Sequence, residues 1–184
     1  SAEFESSGKL TVIPLVGEFS LMNYRMSGTV PKERLPFTAE MTLEDSSTTK
    51  FTDVSVRIHC NIPSDKYAEK VIAQFPVPKD TDSVSCSMQT VEFSKERDLV
   101  TWHITHFQGG TAIRALFKLN GSFQENVQYR RELDAINLRF EIPQFLCSRA
   151  KVKSLRISGG AGKIEHTAKW TRQITFSDSY IIRM

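Results

Sequence analysis

The residues best suited to chemistry lie near the C-terminal end, in His166-Thr-Ala-Lys-Trp-Thr-Arg172. On a regular strand Trp170 and Arg172 would share a face, about 6–7 Å apart. A flat apolar wall beside a guanidinium donor can hold a phenol ring and bond its hydroxyl, or hold a carboxylate next to an apolar side chain. The plainer reading is a tryptophan lid over a core with Arg172 solvated, and residue types alone leave both open. Val152 and Leu155 would extend the apolar wall if the strands after Cys147 and before Ile174 were neighbours. Their three-residue spacing breaks simple strand alternation, so a bulge or twist would be needed. Such a surface suits an extended peptide, which takes main-chain hydrogen bonds from a sheet edge and gains specificity from side-chain pockets.

Catalytic and metal chemistry finds less support. The four histidines are His59, His103, His106 and His166. His103 and His106 are three apart in a strand-like run, so a regular strand sends them to opposite faces. A zinc site there would need a bulge and further ligands. Gly109-Gly110 lacks the Lys-Ser/Thr of a phosphate-cradling loop and precedes a strand pattern. No Gly-x-Ser-x-Gly elbow occurs. The expectation is a non-enzymatic chain with no cofactor and no metal.

The elements that must position these residues are strands. Val54-Val56-Ile58-Cys60, Val71-Ala73-Phe75-Val77, Val84-Cys86-Met88, Val100-Trp102-Ile104, Ile113-Ala115-Phe117-Leu119 and Ile136-Leu138-Phe140-Ile142 all repeat with period two. Each run turns one apolar face to a core. Turn signals separate them, among them Pro63-Ser-Asp65, Pro78-Lys-Asp80, Gly109-Gly110, Asn120-Gly121 and Gly159-Gly160. Short strands with one polar face each predict antiparallel sheets packed as a sandwich, an all-β fold. Trp102 reads as core. Pro76 and Pro78 mark an edge strand or a strand exit. The sole helix expected is a turn or two over Ser64–Lys70, and 121–132 reads as a surface loop.

The 184 residues suit one domain. A net charge of +3 is too small to imply nucleic acid. From Gln144 onward, however, eight Lys and Arg residues face only Glu165 and Asp178, a basic third suited to an anionic membrane surface or to plain cross-strand pairing. Cys60, Cys86 and Cys147 are odd in number and sit beside apolar residues, so free buried thiols in a reducing compartment are expected. No window approaches the roughly 18–20 apolar residues of a membrane-crossing helix.

Several ordered motifs resemble the mu-homology domain, the C-terminal domain of clathrin-adaptor-type medium subunits. Val12-Ile-Pro-Leu-Val-Gly17-Glu18-Phe19-Ser-Leu21-Met22-Asn-Tyr24-Arg25 is similar to the family's Pro, Gly-Glu-Phe and Met-x-Tyr-Arg segment, followed by Leu35-Pro36-Phe37. Leu138-Arg-Phe140-Glu-Ile142-Pro143 and Ser148-Arg-Ala-Lys151-Val152-Lys153-Ser-Leu155-Arg156-Ile157 resemble two later strands. Lys169-Trp170-Thr171-Arg172 and Ser177-Asp178-Ser179-Tyr180 onward resemble the family terminus. Within the family, the branch belonging to adaptor complex 4 looks most similar. That branch also resembles binders of an aromatic-rich, acidic-ended signal, but Thr38 stands where relatives often have Arg, and that site is not carried over.

The resemblance implies an elongated two-lobed sandwich: a main lobe over approximately 1–50 and 135–184, with a second lobe over 51–134 inserted. It implies recognition of Tyr-x-x-apolar signals in cytosolic tails of membrane cargo, with Trp170, Arg172, Val152, Leu155 and Lys169 as peptide-binding residues. It further implies other subunits of a heterotetrameric adaptor complex as partners. The location it implies is cytoplasmic, peripheral on trans-Golgi, endosomal or coated-vesicle membranes. The expected chain begins after the first strands of the usual domain, so residues that would complete a tyrosine pocket have no match here. A related endocytic scaffold that binds other adaptors, or a purely structural assembly domain, are the competing readings.

Overall fold

The protein's structure, a computed structural model, describes residues 2–13, 16–25, 30–31, 34–45, 51–88, 90–122, 133, 135–148, 150–158, 165–167 and 172–184. A short helix α1 (Ala2–Ser7) opens the chain. The strands are β1 (Phe37–Asp45), β2 (Phe51–Cys60), β3 (Tyr67–Pro76), β4 (Thr81–Cys86), β5 (Val91–Ser94), β6 (Leu99–Gln108), β7 (Ala112–Gly121), β8 (Ala135–Pro143), β9 (Arg156–Ser158), β10 (Glu165–Thr167) and β11 (Ile174–Arg183). They form a sheet in the order β1-β2-β7-β4, a sheet in the order β11-β8-β3-β6-β5, and a two-stranded ribbon β10-β9. Every pairing is antiparallel.

The period-two runs are what fold the chain this way. Val54, Val56, Ile58 and Cys60 of β2 are buried, as are Val71, Ala73 and Phe75 of β3 and Ile136, Leu138, Phe140 and Ile142 of β8. Aromatic contacts join the two layers: Phe37 of β1 lies 4.9 Å from Phe140 and 6.0 Å from Phe107. At the other end Phe117 of β7 meets Phe75 and Trp102 edge-on, at 5.1 and 5.9 Å between ring centres. Such tilted and edge-to-face pairs add to the stabilisation from buried area alone. Trp102 is core, as its place in an alternating strand required.

Several expectations need correction. Ser64–Lys70 does not form a helix. Lys66 N–H bonds Pro63 O in a turn, and β3 begins at Tyr67. The Gln108 amide donates to Ser64 O and Lys66 O, and Gly109 N–H takes Lys66 O, so this backbone is committed across the chain rather than along it. Asn120-Gly121 ends β7 instead of turning, with Gly121 paired to Thr81. Met88 lies beyond β4 and is 39% exposed. Of the two readings of Pro76, the strand exit holds, since it is the last residue of the central strand β3. The helix α1 had no signal in the periodicity. Most of the loop expected over 121–132 lies outside the described residues.

Both sheets draw strands from either side of the lobe boundaries expected at 50/51 and 134/135. β1 pairs with β2, and β8 pairs with β3. One hydrophobic cluster runs through all of them.

Candidate functional site

The site anticipated near Trp170 depends on whether the segments after Cys147 and before Ile174 are neighbours. They are, through the ribbon: Arg156 is in register with Thr167, Ile157 with His166 and Ser158 with Glu165. The root of this excursion is pinned. Gln144, with a left-handed φ of 53°, donates its N–H to Gln173 O at 2.7 Å, where the chain returns to the sheet. Thr175 Oγ1 donates to Phe145 O just inside that point. A side chain at left-handed φ is uncommon, and it lets the chain leave β8 sharply while keeping its N–H bonded.

From Ala150 to Arg156 every residue is exposed. Val152 and Leu155 are 51% and 45% exposed, so neither is consumed by the core. Lys151, Lys153 and Arg156 alternate with them in the same stretch. Arg172 is exposed immediately before Gln173 and β11. Thus Val152 and Leu155 stand on the limb leading into β9, and Arg172 stands at the root. Lys169 and Trp170 lie outside the described residues.

Sequence reasoning missed two tyrosine ties beside this surface. The Tyr24 hydroxyl shares a 2.6 Å hydrogen bond with Ser148 Oγ, which also accepts from Ala150 N–H. This fastens the Gly-Glu-Phe…Tyr-Arg segment to the start of the excursion, while its Leu21, Met22 and Phe19 stay exposed. Tyr180, on β11 beyond a register shift, donates to Phe37 O at 2.9 Å and takes its own N–H bond to Asn137 Oδ1. Nothing in the strand periodicity pairs residues so distant in the chain.

Burial favours the neutral form of one tyrosine here and of two thiols. Burial pushes Tyr180 up to about 12, the nearby Cys147 thiol adds to the rise, and the Phe37 bond opposes it. Burial also raises Cys147. Cys60, 1% exposed, is pushed up to about 11 by burial. Thiols raised this way stay protonated at neutral pH and are poor nucleophiles. His106 has a left-handed φ of 51° and stacks on Tyr67 at 4.1 Å, a packing contact. Gly109-Gly110 is likewise structural: a Cβ at 109 would run into the Pro63 and Ile62 carbonyls.

The two-sheet antiparallel sandwich is of the mu-homology type. It aligns with the Fcho1 mu homology domain of Danio rerio, solved with a bound Eps15 peptide, at a TM-score of 0.53 and 11% identity, covering 82% of this chain and 52% of that one. At that identity the likeness is one of fold. The model of the adaptor complexes medium subunit family matches residues 1–184, and the chain belongs to that family. Its relatives include the AP-4 complex subunit mu of Arabidopsis thaliana, 27% identical over 189 residues, covering 98% of this chain and 40% of that protein. The human AP-4 complex subunit mu-1 is 27% identical over 192 residues, with 99% of this chain and 42% of that protein covered. The AP-1 complex subunit mu-1 of Arabidopsis thaliana is 29% identical over 187 residues, with 100% and 42% covered. The chain therefore spans about two-fifths of the length of the curated relatives it matches. The likeness to the AP-4 branch read from the motifs recurs in these relatives, alongside an AP-1 subunit of similar identity. The family consists of adaptor subunits, which are not enzymes.

Proposed function

We propose that this chain is a cargo-recognition module of a vesicle-coat adaptor complex, and that it binds tyrosine-based sorting signals in the cytosolic tails of membrane proteins. The observation that supports the reading is the β9–β10 pairing, in which Arg156 to Ser158, directly after the stretch bearing Val152 and Leu155, are in register with Glu165 to Thr167, directly before the stretch bearing Trp170. Both aliphatic side chains are exposed, and so is Arg172 at the root of the excursion. A signal peptide would lie extended there. Trp170 supplies an apolar wall, Arg172 a polar contact with the tyrosine and the peptide backbone, Val152 and Leu155 the pocket for the apolar residue, and Lys169 a flanking charge.

The partners and location that follow are the other subunits of a heterotetrameric complex and the cytoplasmic side of trans-Golgi, endosomal or coated-vesicle membranes. The basic C-terminal third would face anionic lipid there. A two-lobed domain belongs to the same proposal, with a main lobe over approximately 1–50 and 135–184 and an inserted lobe over 51–134. Strands β1 to β8 and β11 contribute side chains to one hydrophobic cluster. The endocytic-scaffold alternative has the same fold, but the sequence relatives named above are adaptor-complex subunits. The test is side-chain NMR of the intact chain titrated with a Tyr-x-x-Leu tail peptide. Saturable shifts at Val152 and Leu155 methyls and at Arg172 are expected, and binding without any shift at these three would place the peptide elsewhere.

A further inference from the structure

The outer face of the β1-β2-β7-β4 sheet carries a charge arrangement that folding by itself disfavours. Arg57 on β2 is in direct register with Arg114 on β7, and both side chains are exposed. Directly opposed antiparallel residues have Cα atoms about 4.5–5.5 Å apart, and like charges so placed repel. Arg114 is not free to swing away, because its Nε donates to Ser55 Oγ at 2.7 Å. Ser55, on the same outer face, is 4% exposed beneath it. That bond occupies Nε and leaves both terminal amino groups of the guanidinium available. Glu40 of β1 is in register with Arg57 on its other side. The ion pairs among the described residues are nevertheless Lys66–Asp65 and Lys95–Asp82, so neither guanidinium is in one.

We propose that Arg57 and Arg114 form a clamp for a phosphate monoester carried on an extended peptide that lies along β7. A carboxylate has one charge and two oxygens and is satisfied by a single guanidinium fork, whereas a phosphate monoester offers nearly two charges and three oxygens to two forks. The neighbours along β7 suit a peptide. Leu116, 48% exposed, is the next residue on that face, and Lys118 follows with its ammonium 5.0 Å from the centre of the Phe51 ring. A flat membrane is disfavoured by the same face. It would average over Glu40 and Asp53 as well as Arg57, Arg114 and Lys118, and so meet little net charge, while a single phosphate meets the two arginines. The clamp is independent of the cargo reading and stands on the opposite sheet from β11.

The experiment follows the Nε–Hε signals of Arg57 and Arg114 in the intact chain. The probes are the peptide Ala-Ala-phosphoSer-Ala-Leu-Ala, its unphosphorylated form, inorganic phosphate, and vesicles containing phosphatidylserine. The expected result is saturable shifts at both arginines with the phosphopeptide only, weakened at least tenfold in R57Q and in R114Q. R57Q should not melt below the parent chain, since it relieves a repulsion, whereas R114Q also removes the donor to buried Ser55 and is compared under conditions where it still unfolds cooperatively. No saturable shift, an equal response to the unphosphorylated peptide, or inorganic phosphate binding as tightly as the phosphopeptide would overturn the proposal. So would vesicle binding lost in R57Q and R114Q with no peptide response.

Discussion

The Tyr180 hydroxyl donates to the Phe37 carbonyl at 2.9 Å, so the last strand of one sheet is bonded to the first residue of the opposite sheet's edge strand. The rings of Tyr180, Phe140 and Phe37 continue the link inward, at 5.6 and 4.9 Å between successive centres. The contact closes one end of the sandwich beside the root of the β9–β10 excursion. Tyr180→Phe removes the donor and leaves a half-buried carbonyl unpaired, which should cost about 1–2 kcal/mol. Chemical denaturation should show a lower midpoint with an unchanged slope, and a midpoint equal to that of the parent would mean the bond contributes nothing net.

Stability should fall in alkali in two stages. Cys60 and Tyr180 are acids whose neutral forms burial favours, with folded values near 11 and 12 against ordinary values of 9.0 and 10.0. Between those limits the unfolded chain has lost protons that the folded chain still holds. The contribution of Cys60 is therefore complete below pH 9 and is lost as pH rises toward 11. That of Tyr180 is complete below pH 10 and is lost toward 12. Urea midpoints measured from pH 8 to 11 should decline above 9, and Cys60→Ala should flatten the first part of the decline. A flat profile in the parent chain would contradict this.

Gly109→Ala should be among the most damaging small substitutions. The added Cβ meets backbone carbonyls of Pro63 and Ile62 and cannot push aside a flexible side chain. Gly109 N–H is meanwhile held by Lys66 O, and Gly110 N–H by Cys60 O. Overpacking against fixed backbone costs roughly 1–3 kcal/mol, and here the upper end applies. The thermal midpoint checks it. Gly110→Ala offers a comparison: its nearest contact is an ordinary 3.7 Å to Ser64 Cβ, so its penalty comes from the left-handed φ of 72° instead.

The strands were legible because burial in a two-layer sandwich writes itself as alternation. Ile136 through Ile142 follow it without a break, and Val54 through Cys60 do so except at Ser55, which is buried and bonded by Arg114 Nε. It fails at Thr105-His106, where two exposed residues separate buried Ile104 from buried Phe107, matched on β3 by exposed Glu69 and Lys70 between Ala68 and Val71. Both strands switch face together, which preserves the pairing but is invisible to a strict period of two. The Ser64–Lys70 helix was misread because the competing bonds come from Gln108 and Gly109, more than forty residues away. For the site, residue types and a family resemblance supplied the candidates. The adjacency of the limbs came only from the β9–β10 register, since three-residue segments carry too little pattern to be paired by sequence. The Arg57–Arg114 opposition was hidden for the same reason: it is a property of register across 57 residues of chain.

The most direct test of the central claim is fluorescence-anisotropy binding of a labelled Tyr-x-x-Leu tail peptide to the intact chain. A Tyr→Ala peptide serves as control, and Trp170→Ala and Arg172→Ala as variants. Tyrosine-dependent saturation, weakened roughly tenfold or more by either substitution while cooperative unfolding persists, is the predicted result, on the scale of an anchor residue at an interface. Absence of binding by the folded parent chain, or binding indifferent both to the peptide's tyrosine and to Trp170 and Arg172, would contradict the account.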